Sequence, residues 1–292
     1  MNISNWKTAF LAGAFLVVIP PAGSLWAQGP EQESMIAHDY GESITGALEG
    51  WFANPDGTST ILVGYYNRNL KTEMDVPVGP NNHMDPGGPD MGQPTHFMPG
   101  RQWGMFKVIV PKDFGTKKIT WTLVVNGKTN TIPLNLKDDW MIKPMIDALN
   151  NTPPYLSFKP FAESAPTAQG PMSVVENLTA KVGEPLQITA YVADDNVVGP
   201  GRARAPDPPV TLVWTKYRGP GMVKFGPARP KAEKNDDKLP TKTIWAGKAT
   251  TTATFSEPGD YMLNLTVNDG SGDGGAGFQC CWTTSKVKVS VK

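Results

Sequence analysis

The chain has 292 residues, which is enough for two domains of ordinary size. Its 30 glycines and 28 prolines, and the lack of long apolar helical stretches, favour many turns and short strands. Basic and acidic residues balance at 27 each, so the composition gives no electrostatic reason to expect nucleic acid or an anionic membrane surface as a partner.

Residues 1–27 have the pattern of a secretory signal peptide. Lys7 supplies the positive charge, Ala9–Ile19 is apolar but short for a membrane span, and Ala27 is a small residue at the predicted cleavage site. An uncleaved N-terminal anchor is the alternative, but two prolines interrupt the apolar run. No later stretch approaches transmembrane length. We therefore predict a secreted or periplasmic protein with no membrane insertion after signal cleavage.

Residues 34–140 predict a first antiparallel β-sandwich. Asn54–Gly57 and Asn126-Gly127 are turn signals between alternating apolar stretches, so each is expected to close a hairpin. Trp103–Val110 reads as a further strand. The segments NNH, GQPTHF and RQWGMF resemble the N-terminal part of uncharacterised exported bacterial proteins, and this resemblance implies no activity.

The long loop of this first region carries two of the three histidines. His83, Asp85, Asp90 and His96 have the imidazole and carboxylate groups that suit zinc or a similar divalent ion. Their spacing matches no compact metal motif, so a solvated surface loop is the preferred interpretation. The alternative is a metal-binding accessory subunit or an enzyme that uses this loop.

Residues 141–172 form a proline-rich stretch with no sustained period, which predicts an extended linker. Tyr155, Phe158 and Phe161 are expected to pin it against one or both domains. The alternative is an aromatic strip exposed for a partner. Tyr155 and Phe158, together with Trp282, are therefore candidate binding residues for a protein or polysaccharide.

Residues 173–292 predict a second β-sandwich, because apolar residues alternate in several stretches that end at turn residues. The segments VGEPLQITAYVADD, PPVTLVWTKYRGPGMVKF and TTATFSEPGDYMLNLTVNDGSG follow one another in the order typical of PKD-like, immunoglobulin-like domains, with Trp214 on the third strand. The resemblance implies a small β-sandwich. It also implies a spacer or a protein- or carbohydrate-contacting module on an exported protein.

The glycine-rich loop after residue 268 begins like a calcium loop. Asp269, Ser271 and Asp273 place oxygen-bearing side chains at alternate positions, but the bidentate glutamate that usually completes such a loop is missing. Asp194 and Asp195, at the end of another predicted strand, can supply that charge if the two loops meet. A plain glycine-rich connection is the preferred interpretation, and a weak calcium site is the alternative hypothesis.

Cys280 and Cys281 are the only cysteines. In an oxidising compartment two cysteines normally pair, although ordinary disulfides join Cα atoms about 4.4 to 6.8 Å apart and sequence neighbours are about 3.8 Å apart. A vicinal disulfide that makes the loop rigid is the functional interpretation. Two free thiols, a soft-metal site and disulfides to another chain are the alternatives.

The sequence contains no G-x-S-x-G, H-E-x-x-H, P-loop or C-x-x-C motif. We therefore predict an all-β chain of two antiparallel β-sandwich domains, residues 34–140 and 173–292, joined by the linker. The function expected is that of an exported, non-enzymatic binding or structural module of the bacterial envelope or extracellular space. The sequence establishes no cofactor, and calcium is the candidate.

Overall fold

The regular secondary structure of the described chain is almost entirely β. The computed structural model describes residues 38–147, 150–163, 165–171, 173–197, 206–240, 243–269 and 280–292. In these ranges the helical elements are single 3-10 turns at Asp138–Trp140 and Phe161–Glu163, so the all-β prediction is confirmed. The predicted signal peptide lies outside the described residues.

The strands, numbered in chain order, are β1 Ile44–Ala53, β2 Ser59–Asn67, β3 Met74–Asp75, β4 Asn82–Asp85, β5 His96–Phe97, β6 Gly100–Val110, β7 Ile119–Val125, β8 Lys128–Leu134, β9 Tyr155–Ser157, β10 Ala168–Gln169, β11 Val175–Ala180, β12 Leu186–Asp194, β13 Val210–Arg218, β14 Val223–Phe225, β15 Glu233–Lys234, β16 Trp245–Phe255, β17 Gly259–Asp269 and β18 Trp282–Val291.

The first part of the chain forms two three-stranded sheets and one short two-stranded sheet. β2 lies between β1 and β6, β7 lies between β4 and β8, and β3 pairs with β5. Both predicted hairpins are confirmed. Asn54–Gly57 connects β1 to β2. Asn126 and Gly127 connect β7 to β8 with φ angles of 50° and 74°, which are both positive, as a type I′ turn requires.

Alternate residues of these sheets enclose a first hydrophobic core. In β7 the four apolar residues Ile119, Trp121, Leu123 and Val125 are buried and alternate with partly exposed positions. The Trp121 ring meets the ring of Phe106 edge-on at 5.1 Å. This core fixes the inner face of β6, whose other residues form part of the site described below.

The second part of the chain is a sandwich of two facing sheets. One sheet has the order β10-β9-β12-β16-β14, with β15 also paired to β16, and the other has the order β11-β18-β17-β13. Both sheets contribute to one core around Trp214, which is 1% exposed. The rings of Phe158 and Phe225 each lie 6.3 Å from the Trp214 ring. The predicted β-sandwich is therefore confirmed for this region.

Two features of this sandwich are typical of immunoglobulin-like domains. β11 pairs with β18 in parallel, whereas β17 pairs with β18 antiparallel. Near the start of β17, the hydroxyl of Tyr261 donates a hydrogen bond to Glu257 O at 2.9 Å, which is the arrangement called a tyrosine corner. The immunoglobulin-like fold is confirmed, and the PKD-like subclass stays a prediction.

The stretch predicted as a linker contributes strands to the second sandwich. β9 pairs with β12 and β10 pairs with β9, so residues on both sides of Phe158 belong to the sheet. Ala37–Lys292 forms one compact unit that contains both cores. The predicted domain boundaries stay a prediction.

The end of β13 joins the two cores. Tyr217 is buried in the first core, its hydroxyl donates to Gly92 O, and its carbonyl accepts a hydrogen bond from Thr95 N–H at 3.1 Å. Arg218 donates to both carboxylate oxygens of Asp90, at 2.8 and 2.9 Å. A two-bond contact of this kind fixes orientation as well as distance. The loop that carries Asp90 is therefore attached to the second sandwich.

Candidate functional site

A groove of about 470 Å³ lies where β6 packs against the outer face of the second sandwich. β6 forms one wall, and the outward side chains of β13 and β17 form the floor. We call it the Trp103–Trp282 groove after two indoles that line it. In the floor, side chains of β13 stand directly opposite side chains of β17, and these pairs are Thr211 with Asn268, Val213 with Thr266, and Thr215 with Asn264.

The wall of the groove is a stack of charged and aromatic groups. The Arg101 guanidinium lies over the Trp103 ring, 3.9 Å from its centroid, and the rings of Trp103 and Trp282 are 6.3 Å apart. A cation over an indole face is attracted by the negative charge of that face. Glu49 fixes the Arg101 guanidinium, since Glu49 Oε1 accepts a hydrogen bond from Arg101 Nη2 at 2.8 Å.

Glu49 is buried behind this wall. Its second carboxylate oxygen accepts a hydrogen bond from Gly104 N–H at 2.8 Å. Burial raises the pKa of Glu49 to about 7, and the Arg101 charge and the Gly104 hydrogen bond oppose that rise. A carboxyl with this pKa changes charge near neutral pH, so the strength of the contact that positions Arg101 depends on pH.

Side chains of β18 donate hydrogen bonds to backbone carbonyls of β6. Lys286 Nζ donates to Met105 O at 2.9 Å and to Asn264 Oδ1 at 2.6 Å, and it lies 3.6 Å from the centroid of the Tyr217 ring. Lys286 is partly exposed as a residue, but these contacts enclose its ammonium group. Burial, together with the Arg218 charge, lowers the pKa of Lys286 well below its usual range. β6 is therefore fixed over β18, at the edge of the groove floor.

The predicted vicinal disulfide is confirmed and lies next in the chain to the groove residue Trp282. Cys280 and Cys281 are bonded to each other across a cis peptide, with Cα atoms 3.0 Å apart, and directly precede Trp282. Both cysteines are buried. Their sulfur atoms lie 3.8 and 3.5 Å from Asn151 O. The disulfide thus packs between the segment that contains Asn151 and the wall residue Trp282.

Three of the predicted calcium ligands lie near the disulfide. Asp194, at the end of β12, is 2% exposed, and Asp269 ends β17. Burial raises the pKa of Asp194 to about 7, and the charges of Asp269 and Asp195 add to the rise against a hydrogen bond from Asn196 N–H. Asp269 Oδ2 accepts from Asn151 Nδ2 at 2.8 Å. The two strand ends therefore meet, as the calcium prediction requires.

The other half of the predicted calcium site is not described. Ser271 and Asp273 lie outside the described residues. Asp195 uses its carboxylate to accept hydrogen bonds from the backbone and hydroxyl of Thr152, at 3.0 and 2.7 Å. The described part of the chain contains no group of three or more His, Cys, Asp or Glu side chains placed to hold a metal. Calcium binding stays a prediction.

The alternative metal residues have separate partners. His83 Nδ1 lies 3.0 Å from Pro80 O, Asp85 is exposed at the end of β4, and Asp90 is held by Arg218. His96 lies between two carboxylates, with Nδ1 2.9 Å from Asp75 and Nε2 3.2 Å from Glu73. The hydrogen bond from His96 lowers the pKa of Glu73. The structure does not bring His83, Asp85, Asp90 and His96 together, and this metal site stays a prediction without geometric support.

Of the three predicted binding residues, Trp282 lines the groove. Tyr155 is a partly buried residue of β9, and Phe158 packs on Trp214 in the core. Arg101, Trp103 and the paired floor residues were not predicted as site residues from the sequence. The RQWGMF segment contains two of them, but a strand with these residues has the same pattern whether its outer face meets solvent or a second sheet.

Comparison with known proteins gives no family. No protein-family model and no curated protein matches the chain. Among solved structures, WR4, an MSP family member of C. elegans, is 10% identical with a TM-score of 0.22, over 40% of this chain and 92% of that one. The D00-D0 domain of intimin is 11% identical with a TM-score of 0.23, over 84% of this chain and 98% of that one. CfaE, the adhesive subunit of the CFA/I fimbria of enterotoxigenic Escherichia coli, is 8% identical with a TM-score of 0.23, over 87% of this chain and 88% of that one.

Identities and TM-scores this low carry no argument about function. The class of the molecule, an all-β protein with an immunoglobulin-like sandwich, rests on its own strand pairing. In the described ranges no helix is both long and apolar enough to cross a membrane.

Proposed function

We propose that the chain is an exported, non-enzymatic binding or structural module of the bacterial envelope or extracellular space, and that it contacts a protein or polysaccharide through the Trp103–Trp282 groove. The observation that carries the proposal is the groove itself, with two indoles beside two rows of floor side chains around about 470 Å³. Ligand sites commonly have this size and combine aromatic side chains with a few fixed polar groups. Export rests on the signal-like pattern of residues 1–27.

The chemistry of the groove supports binding over catalysis. Its floor offers amides and hydroxyls, which exchange hydrogen bonds with a ligand but do not titrate near neutral pH. The buried carboxyl behind the wall, Glu49, is engaged with Arg101 and Gly104. These two contacts indicate that Glu49 positions the wall residue Arg101.

We also propose weak calcium binding at the ends of β12 and β17. Asp194 Oδ2 and Asn151 Oδ1 are buried and have no hydrogen-bond partner among the described residues. Both are oxygen atoms, the kind of ligand that calcium prefers. Both belong to residues that lie beside Asp269. A cation there would offset the repulsion among the three aspartates.

Capture from the native host tests the groove assignment. The mature protein, its Trp103→Ala variant and its Trp140→Ala variant would be used to isolate companions from envelope and medium fractions. Trp140 is 46% exposed and does not line the groove, so it controls for the loss of an exposed indole. A companion or polysaccharide retained by the wild type and by Trp140→Ala, but lost with Trp103→Ala, is expected.

A second groove variant guards against misfolding of the first. Thr266→Arg places a long side chain on the floor without changing the wall. Thermal melts of all variants would establish that they fold. Equal retention by wild type and both folded groove variants would refute the groove as the contact site.

A further inference from the structure

Apart from Val213, the floor of the Trp103–Trp282 groove is a regular array of hydrogen-bonding groups. Adjacent strands lie about 4.8 Å apart, and alternate residues of one strand are about 6.8 Å apart. Asn264 and Asn268 of β17 therefore stand one repeat on either side of Thr266, with Thr211 and Thr215 across from the two asparagines. Hydroxyl and carboxamide groups each donate and accept. A matching ligand must carry closely spaced groups that also do both.

One floor group is buried with an unused hydrogen-bonding capacity. Thr215 is 7% exposed, and its Oγ1 has no hydrogen-bond partner among the described residues. By contrast, Asn264 accepts from Lys286 and donates to Thr266 Oγ1 at 3.0 Å. A buried hydroxyl without a partner is unfavourable. Thr215 Oγ1 is shielded from solvent in this conformation. Because it has no hydrogen bond to lose, rotation of the side chain toward the groove lets a ligand hydroxyl pair with it and removes that cost.

The wall next to this polar floor is aromatic. Trp103 is partly exposed, and the Arg101 guanidinium covers part of its ring at 3.9 Å. An indole has an apolar body with a single polar N–H, so it suits a ligand that has apolar C–H surface beside its polar groups. A purely apolar ligand would instead leave the floor amides and hydroxyls without partners.

The charges around the groove balance in sign. The Arg101 charge is opposed by Glu49, its partner at 2.8 Å, and the other charged side chains among the described lining residues are Arg229 and Asp269. An anionic or cationic ligand therefore meets no net charge of the opposite sign once Glu49 is ionised. A folded protein partner typically contacts about 20–30 residues on each side, which is more residues than line this groove.

From these four observations we infer that the Trp103–Trp282 groove binds a short stretch of neutral carbohydrate. Its sugar hydroxyls pair with the floor groups, including Thr215 Oγ1, and a C–H face of a sugar ring packs on Trp103. This inference rests on the proposed function, because it names the ligand class of the same site.

The test measures binding of soluble cello-, malto- and chito-oligosaccharides to the full mature chain. Ligand-observed NMR and tryptophan fluorescence would be used at about pH 8, above the pKa of Glu49, which is about 7. At least one neutral series is expected to bind the wild type and Trp140→Ala, with Kd raised about tenfold or more in Trp103→Ala. Thr215→Val keeps the side-chain shape and removes only the hydroxyl. It is expected to raise Kd several-fold with unchanged or higher thermal stability, a combination that a merely structural role would not give.

Three results would overturn the inference. One is that none of the neutral oligosaccharides binds. Another is that Thr215→Val binds as the wild type does, and the third is that oligogalacturonate, an anionic series, binds more tightly than every neutral one. If a protein companion from the envelope is then still lost with Trp103→Ala, the carbohydrate inference fails while the proposed function stands. If no companion depends on the groove either, both fail.

Discussion

A Cβ atom added to Gly104 would lie 2.5 Å from Nε1 of Trp282, and Gly104 has a φ angle of +55°. β6 therefore passes Trp282 at a distance that only glycine permits. We expect Gly104→Ala to lower the free energy of unfolding by about 1–3 kcal/mol, because the methyl group overlaps the indole in addition to the backbone strain. Urea denaturation followed by tryptophan fluorescence measures it.

The matched control is Gly115→Ala. Gly115 has the same φ of +55°, but its nearest neighbour to an added Cβ is Asp113 O at 3.9 Å. Gly115→Ala therefore measures only the cost of placing an alanine at a positive φ angle, without the overlap with a neighbouring side chain. Equal losses in the two variants would contradict the close packing of β6 on Trp282.

The buried carboxyl of Glu49 predicts a pH dependence of stability. Its pKa is raised from 4.5 to about 7, so between these values the folded state holds a proton that the unfolded state has released. Raising the pH across this window favours unfolding. Above pH 7 the ionised Glu49 lowers the free energy of unfolding by about 3 kcal/mol, since each pKa unit corresponds to about 1.4 kcal/mol.

Glu49→Gln removes this titration. Denaturation between about pH 4.5 and 8 is expected to show a smaller loss of stability for Glu49→Gln than for the wild type. Glu184→Gln, at an exposed residue, is the control and should follow the wild type. Identical slopes for wild type and Glu49→Gln would show that Glu49 does not titrate in this window.

The contact between Arg218 and Asp90 predicts a coupling between the two cores. Arg218→Lys keeps the charge but cannot make the two-bond contact, so we expect a loss of about 1–2 kcal/mol, limited by the partial exposure of Asp90. Asp90→Asn should cost a similar amount, and the double variant should cost less than the sum. Strict additivity in chemical denaturation would refute the coupling. Lys181→Gln, in an exposed pair, should change little.

The bond between Cys280 and Cys281 predicts a definite mass. The intact unreduced protein should weigh roughly 2 Da less than the reduced chain, because two thiol hydrogens are absent. Alkylation of unfolded, unreduced protein should add no label, and alkylation after reduction should add two. Labelling without reductant would mean that the thiols are free. A dimer that reductant dissociates would mean that they bond to another chain.

Calcium binding predicts a thermal shift. Calcium in large excess over Kd should raise Tm by a few degrees, and a chelator should reverse the rise, because the ion binds only the folded state. Asp194→Asn should abolish the shift. Asp113→Asn, at an exposed residue far along the chain, should keep it. A melt that calcium and chelator leave unchanged would refute the site.

Strands were predictable because local residues decide which face is buried. The alternation in Tyr261–Val267 and Val287–Val291 identifies both the strands and their inner faces, and all four alternate residues of the first stretch are buried. Asn126-Gly127 likewise carries its turn geometry in two residues. For Cys280 and Cys281, adjacency alone restricts the pairing to a few alternatives. Each of these features is determined within a few residues.

The groove was not predictable by the same route. Glu49 and Arg101 are 52 residues apart, and nothing near either one indicates the other. The outer faces of β13 and β17 carry polar side chains, as solvated strands do, so their pattern does not reveal that β6 covers the neighbouring strand. His96 has the residue type of a metal ligand, but the two carboxylates on either side of it come from residues 73 and 75. A site assembled by the packing of one sheet on another can be identified only from the tertiary structure.

The position of β18 determines when the molecule can fold during synthesis. β18 lies inside its sheet, between β11 and β17, and its outer residues Thr284 and Lys286 hold β6 of the first part. A growing chain that ends before residue 282 therefore lacks both the central partner of β11 and the support for β6. The second core and the groove therefore form only after β18 has been synthesised.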